Sequence, residues 1–410
     1  MKRLRSTSAA FARTAALFTV ASAQLWCATN DDSPSQAPPE PPPDASILDA
    51  PRPDETSVAN PLPPCTSAFC RVALPGSGAV ALNGVFARTA SDVWVVGSAG
   101  FAAHYDGSAW MRIDTRSNQS LFAVWGSPNG PVWATNAGNA FFLLDRPSTD
   151  GGVEGADGGW KSIVTAISGT ASGEAYAVGS VSSTSIFGGE TLTGDNIWRY
   201  TPPLPGSDAG SSWTPASPEC TYFGPLGCVV LHAVWVQSAR IQFFAGQNGK
   251  IYRTDTSDAG ADSGPSDGGA TGGGSANRIR LVEMNSSSLR TLDGLWGFGE
   301  NDVWAVGAQG AIRHWVGGEA WVVVPSPVTE DLHAVWGSRP DDVWAVGDDG
   351  VALHWDGKAW SVAPTPFGDT NRPRLYAVSG TGADVWIAGE STLLRASASA
   401  SSAADDGGAP

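Results

Sequence analysis

"LHAVWGSRPDDVWAVGDDGVALHWDGKAWSVAP", residues 332–364, holds four short segments rich in branched and aromatic residues, punctuated by Gly, Asp and Pro. "LHAVWGS" (332–338), "DVWAVGD" (342–348), "VALHWDG" (351–357) and "AWSVAP" (359–364) each read as a β-strand, because Cβ-branched and aromatic side chains suit an extended, half-buried backbone. The Asp356-Gly357 pair suits a tight hairpin between the third and fourth segments, since glycine accepts positive φ. Four antiparallel strands in about 40 residues is the size of one propeller blade.

The same text recurs. "DVWAVGAQGAIRHWVGGEAW" occupies 302–321 and "DVWVVGSAGFAAHYDGSAW" occupies 92–110. Working outward, unit starts fall at Leu82, Leu121, Val164, Leu231, Leu292, Leu332 and Leu375, with second-strand aromatics at Trp94, Trp133, Tyr176, Phe243, Trp304, Trp344 and Trp386. The last unit lacks a fourth strand, and "CRVALP" at 70–75 stands before Leu82 at the spacing a fourth strand would have. The expected fold is therefore all-β, a seven-bladed β-propeller over 65–396 closed by residues 70–75, which complete the last blade and leave no open sheet ends. A lone blade cannot bury both faces, so the repeated aromatics are expected to pack between neighbouring blades.

The pattern "VWAVG…G…HWDG..W" resembles bacterial BNR-like and YVTN-like β-propellers, and also the tectonin-type lectin repeat. The Asp-box of BNR repeats, S-x-D-x-G-x-x-W, does not occur intact; what remains are the turns "HYDGSAW" (104–110) and "HWDGKAW" (354–360). The resemblance implies architecture and a bacterial envelope setting. It is loose for activity, because propellers host enzymes, lectins and scaffolds alike.

Composition narrows the setting. A formal net charge of −16 argues against nucleic acid, whose phosphates require a basic surface. Lys2, Arg3 and Arg5, the apolar run 14–23 and "ASA" at 21–23 read as a signal peptide over 1–23. Residues 24–64 read as a Pro/Asp/Ser-rich tether and 397–410 as a disordered tail. Export ends either in release or in lipid attachment at Cys27, the one route by which the chain would hold to a membrane. Five cysteines group as Cys65 with Cys70, Cys220 with Cys228, and Cys27 alone, which favours two local disulfides over a metal site.

Chemistry is harder to find. His104, His314 and His354 share one repeat position and His232 and His333 another, and repetition across blades points to packing or hydrogen bonding. Asp92, Asp302, Asp342 and Asp384 each precede "VW" as turn residues. No GxSxG, Walker-type loop or HExxH occurs, no cofactor is implied, and the Gly/Asp-rich insertions 145–159, 202–212 and 255–277 match no calcium-loop spacing. A unique, non-repeating charged cluster at first-strand starts would mark an enzyme, and none is evident. Two other insertions belong to the opposite rim: 181–195, with Phe187, and 218–230, with Tyr222 and Phe223 inside the Cys220–Cys228 loop. These three aromatics are the candidate ligand contacts. The expected function is a non-enzymatic binding or scaffolding module for a protein or glycan of the cell envelope or exterior; the alternative is an extracytoplasmic glycan hydrolase or lyase.

Overall fold

In a computed structural model, residues 332–364 form strands Leu332–Arg339, Asp342–Gly347, Ala352–Trp355 and Trp360–Val362, hydrogen-bonded in that order as one antiparallel sheet. The structure describes residues 68–76, 78, 80–136, 140–147, 153–157, 163–180, 193–202, 212–217, 220–221, 229–256 and 278–396, all within the unit Glu55–Pro410. The expected signal peptide, tether and tail lie outside them. Seven four-stranded sheets are present, and an additional two-stranded one. The fold is an all-β seven-bladed propeller.

Local chemistry explains the turns. Asp106 Oδ1 accepts hydrogen bonds from the backbone N–H of Ser108 and Ala109, both at 2.8 Å, while Gly107 sits at φ +93°; Asp356 and Gly357 repeat the arrangement. Gly100, after the second strand of blade 1, has φ +67°, and a Cβ there would lie 1.7 Å from the Ser117 carbonyl oxygen. Only glycine meets both demands.

Closure follows the expected route over fewer residues. The seventh blade, Leu375–Thr381, Asp384–Gly389 and Thr392–Ala396, takes Cys70–Arg71 as its fourth strand, with Cys70 opposite Arg395 and Arg71 opposite Leu394. The Val72 N–H adds a bond to the Leu393 carbonyl at 2.8 Å. Phe69 is buried and meets Trp344 of blade 6 edge-on at 5.4 Å, so the closing segment is anchored by packing as well as pairing.

Each apolar cluster spans two blades. Trp304 of blade 5 packs with Leu332, Val343 and Trp360 of blade 6, and Trp386 of blade 7 with Val85, Tyr105 and Trp110 of blade 1. Tyr176 of blade 3 meets Leu231 and Phe244 of blade 4 in the same way. The repeated aromatics are the inter-blade core.

Insertions 202–212 and 255–277 join third to fourth strands of blades 3 and 4, as expected, between Ile197–Thr201 and Ser212–Pro215 and between Ile251–Thr254 and Leu281–Met284. Blade 2 corrects the third. Its third strand runs to Pro147 and its fourth, Val153–Asp157, is drawn from "VEGAD", residues read as part of an insertion. An outermost strand needs backbone pairing more than apolar side chains, so its sequence signal is faint.

Candidate functional site: the channel mouth

All seven blades carry the same irregularity. Pairing between first and second strands shifts register just after the opening residue, at Leu82/Gly84, Leu121/Val124, Val164/Ala166, Leu231/Ala233, Leu292/Gly294, Leu332/Ala334 and Leu375/Ala377. These are β-bulges, which re-aim a side chain out of the regular alternation. The bulged residues are Asn83, Phe122, Thr165, His232, Asp293, His333 and Tyr376, and all seven line one central cavity of about 180 Å³.

In six blades a glycine stands opposite the opening residue, and in blade 2 it is Asn136. In blade 1 a Cβ on Gly97 would lie 2.3 Å from the Ala81 carbonyl oxygen, which instead accepts from the Ser98 N–H at 2.8 Å. Blade 5 repeats this with Gly307, the Thr291 carbonyl and the Ala308 N–H at 3.0 Å. The chain is pinned on both sides of the residue that projects inward.

Below the bulged ring the lining changes in layers. Gly84, Ala123, Ala166, Ala233, Gly294, Ala334 and Ala377 form a shelf of small residues, and Val85, Val124, Ile167, Val234, Leu295 and Val335 an aliphatic floor. The cavity is thus polar at its mouth and apolar beneath.

Contacts around the ring run from blade to blade. Asn83 Nδ2 donates to the Leu121 carbonyl at 2.8 Å, and the Thr165 hydroxyl to the Leu231 carbonyl at 3.3 Å. His232 Nδ1 lies 3.1 Å from Asp293 Oδ1, while His232 Nε2 is shielded from solvent and has no hydrogen-bond partner. His333 Nε2 pairs with Asp348 Oδ1 at 2.7 Å and its ring faces Tyr376 at 5.8 Å. Tyr376 donates to Glu390 Oε1 at 3.0 Å; burial, and then the hydrogen bond and charge of Glu390, push its hydroxyl above the ordinary tyrosine range. Arg374 Nε lies 3.6 Å from Asp348 Oδ1.

His232 and His333 line the channel mouth, and the hydrogen-bonding role expected of them is seen at His333, through Asp348. The mouth does have a sequence signal: between a near-constant Leu and a constant Ala or Gly, one position changes in nearly every repeat.

The other repeated histidines do behave as structure. On the face where second strands begin, His104, His314 and His354 stack on Trp94, Trp304 and Trp344 with centroids 4.0, 3.9 and 4.3 Å apart, and pair with Asp92, Asp302 and Asp342 at 2.9, 2.7 and 2.9 Å. Those aspartates do more than cap a turn. Asp342 also accepts from Trp344 Nε1 at 3.1 Å and from Ser338, and its carboxyl is held below the usual range, chiefly by the His354 hydrogen bond.

Of the two insertions expected on the opposite rim, the described ends, 193–195 and 220–221 with 229–230, adjoin the strand ends that flank the bulges. They also pair with each other, Thr193 with Thr221 and Gly194 with Cys220, as the two-stranded sheet. Arg278 braces their base, donating to the Ser217 carbonyl at 2.8 Å and lying 3.4 Å from Asp195. Phe187, Tyr222 and Phe223 lie outside the described residues, as do Cys27, Cys65, Cys228 and the side chain of Cys220; Cys70 is disulfide-bonded. Among the described residues no three His, Cys, Asp or Glu side chains converge as a metal site, and no helix is long and apolar enough to cross a membrane.

No family model matches the chain, and no curated protein sequence does. Among solved structures it is similar to virginiamycin B lyase from Staphylococcus aureus, at 14% identity and a TM-score of 0.57, over 80% of this chain and 98% of the other. It is also similar to YCF48 bound to a D1 peptide, at 15% identity and a TM-score of 0.53, over 81% and 95% of the two chains. YCF48 from Cyanidioschyzon merolae aligns at 14% identity and a TM-score of 0.52, over 81% and 98%. At such identities the likeness is one of fold: the chain is a seven-bladed propeller related at that level to a lyase and to YCF48.

Proposed function

We propose that the chain is an exported, non-enzymatic binding module that seats a protein or glycan of the cell envelope or exterior on its channel-mouth face. One observation carries this reading: seven bulges aim seven side chains, of six residue types, at one cavity in a molecule that is otherwise repetitive. Scaffold positions repeat because the same packing problem recurs in every blade, whereas recognition needs a different group at each point. The paired insertions carry Tyr222, Phe223 and Phe187, which would supply aromatic area to a ligand, and a Cys220–Cys228 bridge would preorganise the loop. A Cys65–Cys70 bridge, together with release or lipid attachment at Cys27, belongs to the same extracytoplasmic setting.

The test is a glycan array and a cell-wall pull-down with the full chain. The double variant His333→Ala, Tyr376→Ala should bind at least tenfold more weakly, about 1.4 kcal/mol, while His354→Gln on the opposite face binds as the parent does. Equal losses in both, or none in the mouth variant, would overturn the assignment.

A second reading, an extracytoplasmic lyase, is favoured by His232. His232 lies against the Asp293 carboxylate and lines the cavity, and an imidazole beside a carboxylate is a pairing that general bases use. A two-carboxylate glycan hydrolase fits less well, because Asp293 is the one carboxylate among the seven bulged residues.

A further inference from the structure

The hydrogen-bonding groups of the mouth are not balanced. Most side-chain donors of the mouth are already engaged: one Asn83 amide N–H by the Leu121 carbonyl, the Thr165 hydroxyl by the Leu231 carbonyl, Tyr376 by Glu390 and His333 by Asp348. His232 Nδ1 lies against Asp293, and its Nε2 is shielded from solvent. The acceptors that the lining residues bring to the cavity are then the Asn83 amide oxygen, the Thr165 hydroxyl oxygen and the Asp293 carboxylate.

Charge is unbalanced at the same place. Arg374 is held by Asp348 and Arg372 by Asp349, both pairs at 3.6 Å. Asp293 has no Lys or Arg beside it among the described residues: its side chain is 22% exposed, and its one ion-pair partner there is the His232 imidazole. A partly buried carboxylate without a cation is costly, and a ligand that supplies one recovers that cost.

Shape supplies the third constraint. From the bulged ring to the aliphatic floor is two residues of strand, about 7 Å, the length of a short alkyl group. Resting on the proposal that the mouth is the binding surface, we infer that it takes a primary ammonium attached to a short aliphatic group, with the ammonium at Asp293 and the alkyl portion on the floor of Val85, Val124, Ile167, Val234, Leu295 and Val335. An ammonium has three donors and no acceptor, the complement of what the ring leaves open. The chemistry is shared by a free alkylamine and by the amino terminus of a peptide whose first residue is aliphatic. The overall charge of −16 draws either toward the molecule.

Calorimetry and thermal shift on the full chain test this with four probes: n-butylammonium, leucinamide, N-acetyl-leucinamide and isovalerate. The two amines should bind saturably and compete with each other, and the acetylated amide and the carboxylate should not bind. Tighter binding of leucinamide than of n-butylammonium marks a peptide terminus as the natural source; the reverse marks a free amine. Asp293→Asn should weaken amine binding at least tenfold at an unchanged melting temperature, with Asp293→Ser in its place if the first variant does not fold. Binding of the acetylated amide or of isovalerate as tight as that of the amines, undiminished binding by both Asp293 variants, or no binding of any amine would overturn the ammonium assignment. If in that event His333→Ala, Tyr376→Ala still abolishes capture on the glycan array or cell wall, the mouth remains the binding surface and only the ligand class is wrong.

Discussion

His232 and His354 are the same side chain doing different work, and the difference lies in what each one touches. His354 stacks on Trp344 and bonds Asp342, a carboxylate that also accepts from Trp344 and Ser338. Those bonds favour the ionised carboxylate, so the folded pKa of Asp342 lies below its ordinary value of 3.8. A depressed carboxyl pKa adds stability that is complete above the unfolded pKa and is lost as pH falls through the folded one. Asp342→Ala is therefore expected to cost about 1.5–3 kcal/mol at pH 7, with the gap to the parent narrowing as pH drops below 3.8. Urea denaturation of both proteins at pH 7 and pH 3 checks this; a gap that is constant or wider in acid would contradict the assignment. Among the described residues His232 has no stacking tryptophan; it lines the cavity and lies 3.1 Å from Asp293 of the next blade.

Among elements, one of the shortest strands has the largest consequence. Cys70–Arg71 pairs over two residues, yet it is the outer strand of blade 7 and brings Phe69 into the cluster of Trp336, Leu375 and Ile387. Deleting 65–76 removes the pairing and leaves the Phe69 site empty, a loss comparable to a buried Phe→Ala change of about 3–5 kcal/mol, or about 10 °C in melting temperature for a domain of this size. Deleting 397–410 should leave the melting temperature unchanged, since the pairing of Thr392–Ala396 ends before it. Matching melting temperatures for the two truncations would refute closure by this segment. The bulge is the second element of consequence: one residue without a pairing partner turns each blade's inner strand into a presenter of one side chain.

At the scale of the whole molecule, clusters shared between neighbouring blades couple the ring into one unit. Trp304 is 1% exposed and belongs to the cluster joining blades 5 and 6, so Trp304→Ala should cost about 3–5 kcal/mol and move one cooperative calorimetric transition to lower temperature. Two resolved transitions would show that the blades melt separately. Blade number, strand order and the closing segment were legible in the residues, because inter-blade packing imposes the same side chains at the same spacing in every repeat. The faint fourth strand of blade 2 escaped notice, since an edge strand is held by backbone bonds that any residue can make. The mouth escaped for the opposite reason. Asn83, Phe122, Thr165, His232, Asp293, His333 and Tyr376 are separated by 39 to 67 residues of chain and differ in chemistry, sharing only a place between Leu or Val and Ala or Gly. Ring closure brings them to one cavity, and a bulge that no residue type announces turns them inward, so their common role exists only once seven blades stand around one axis.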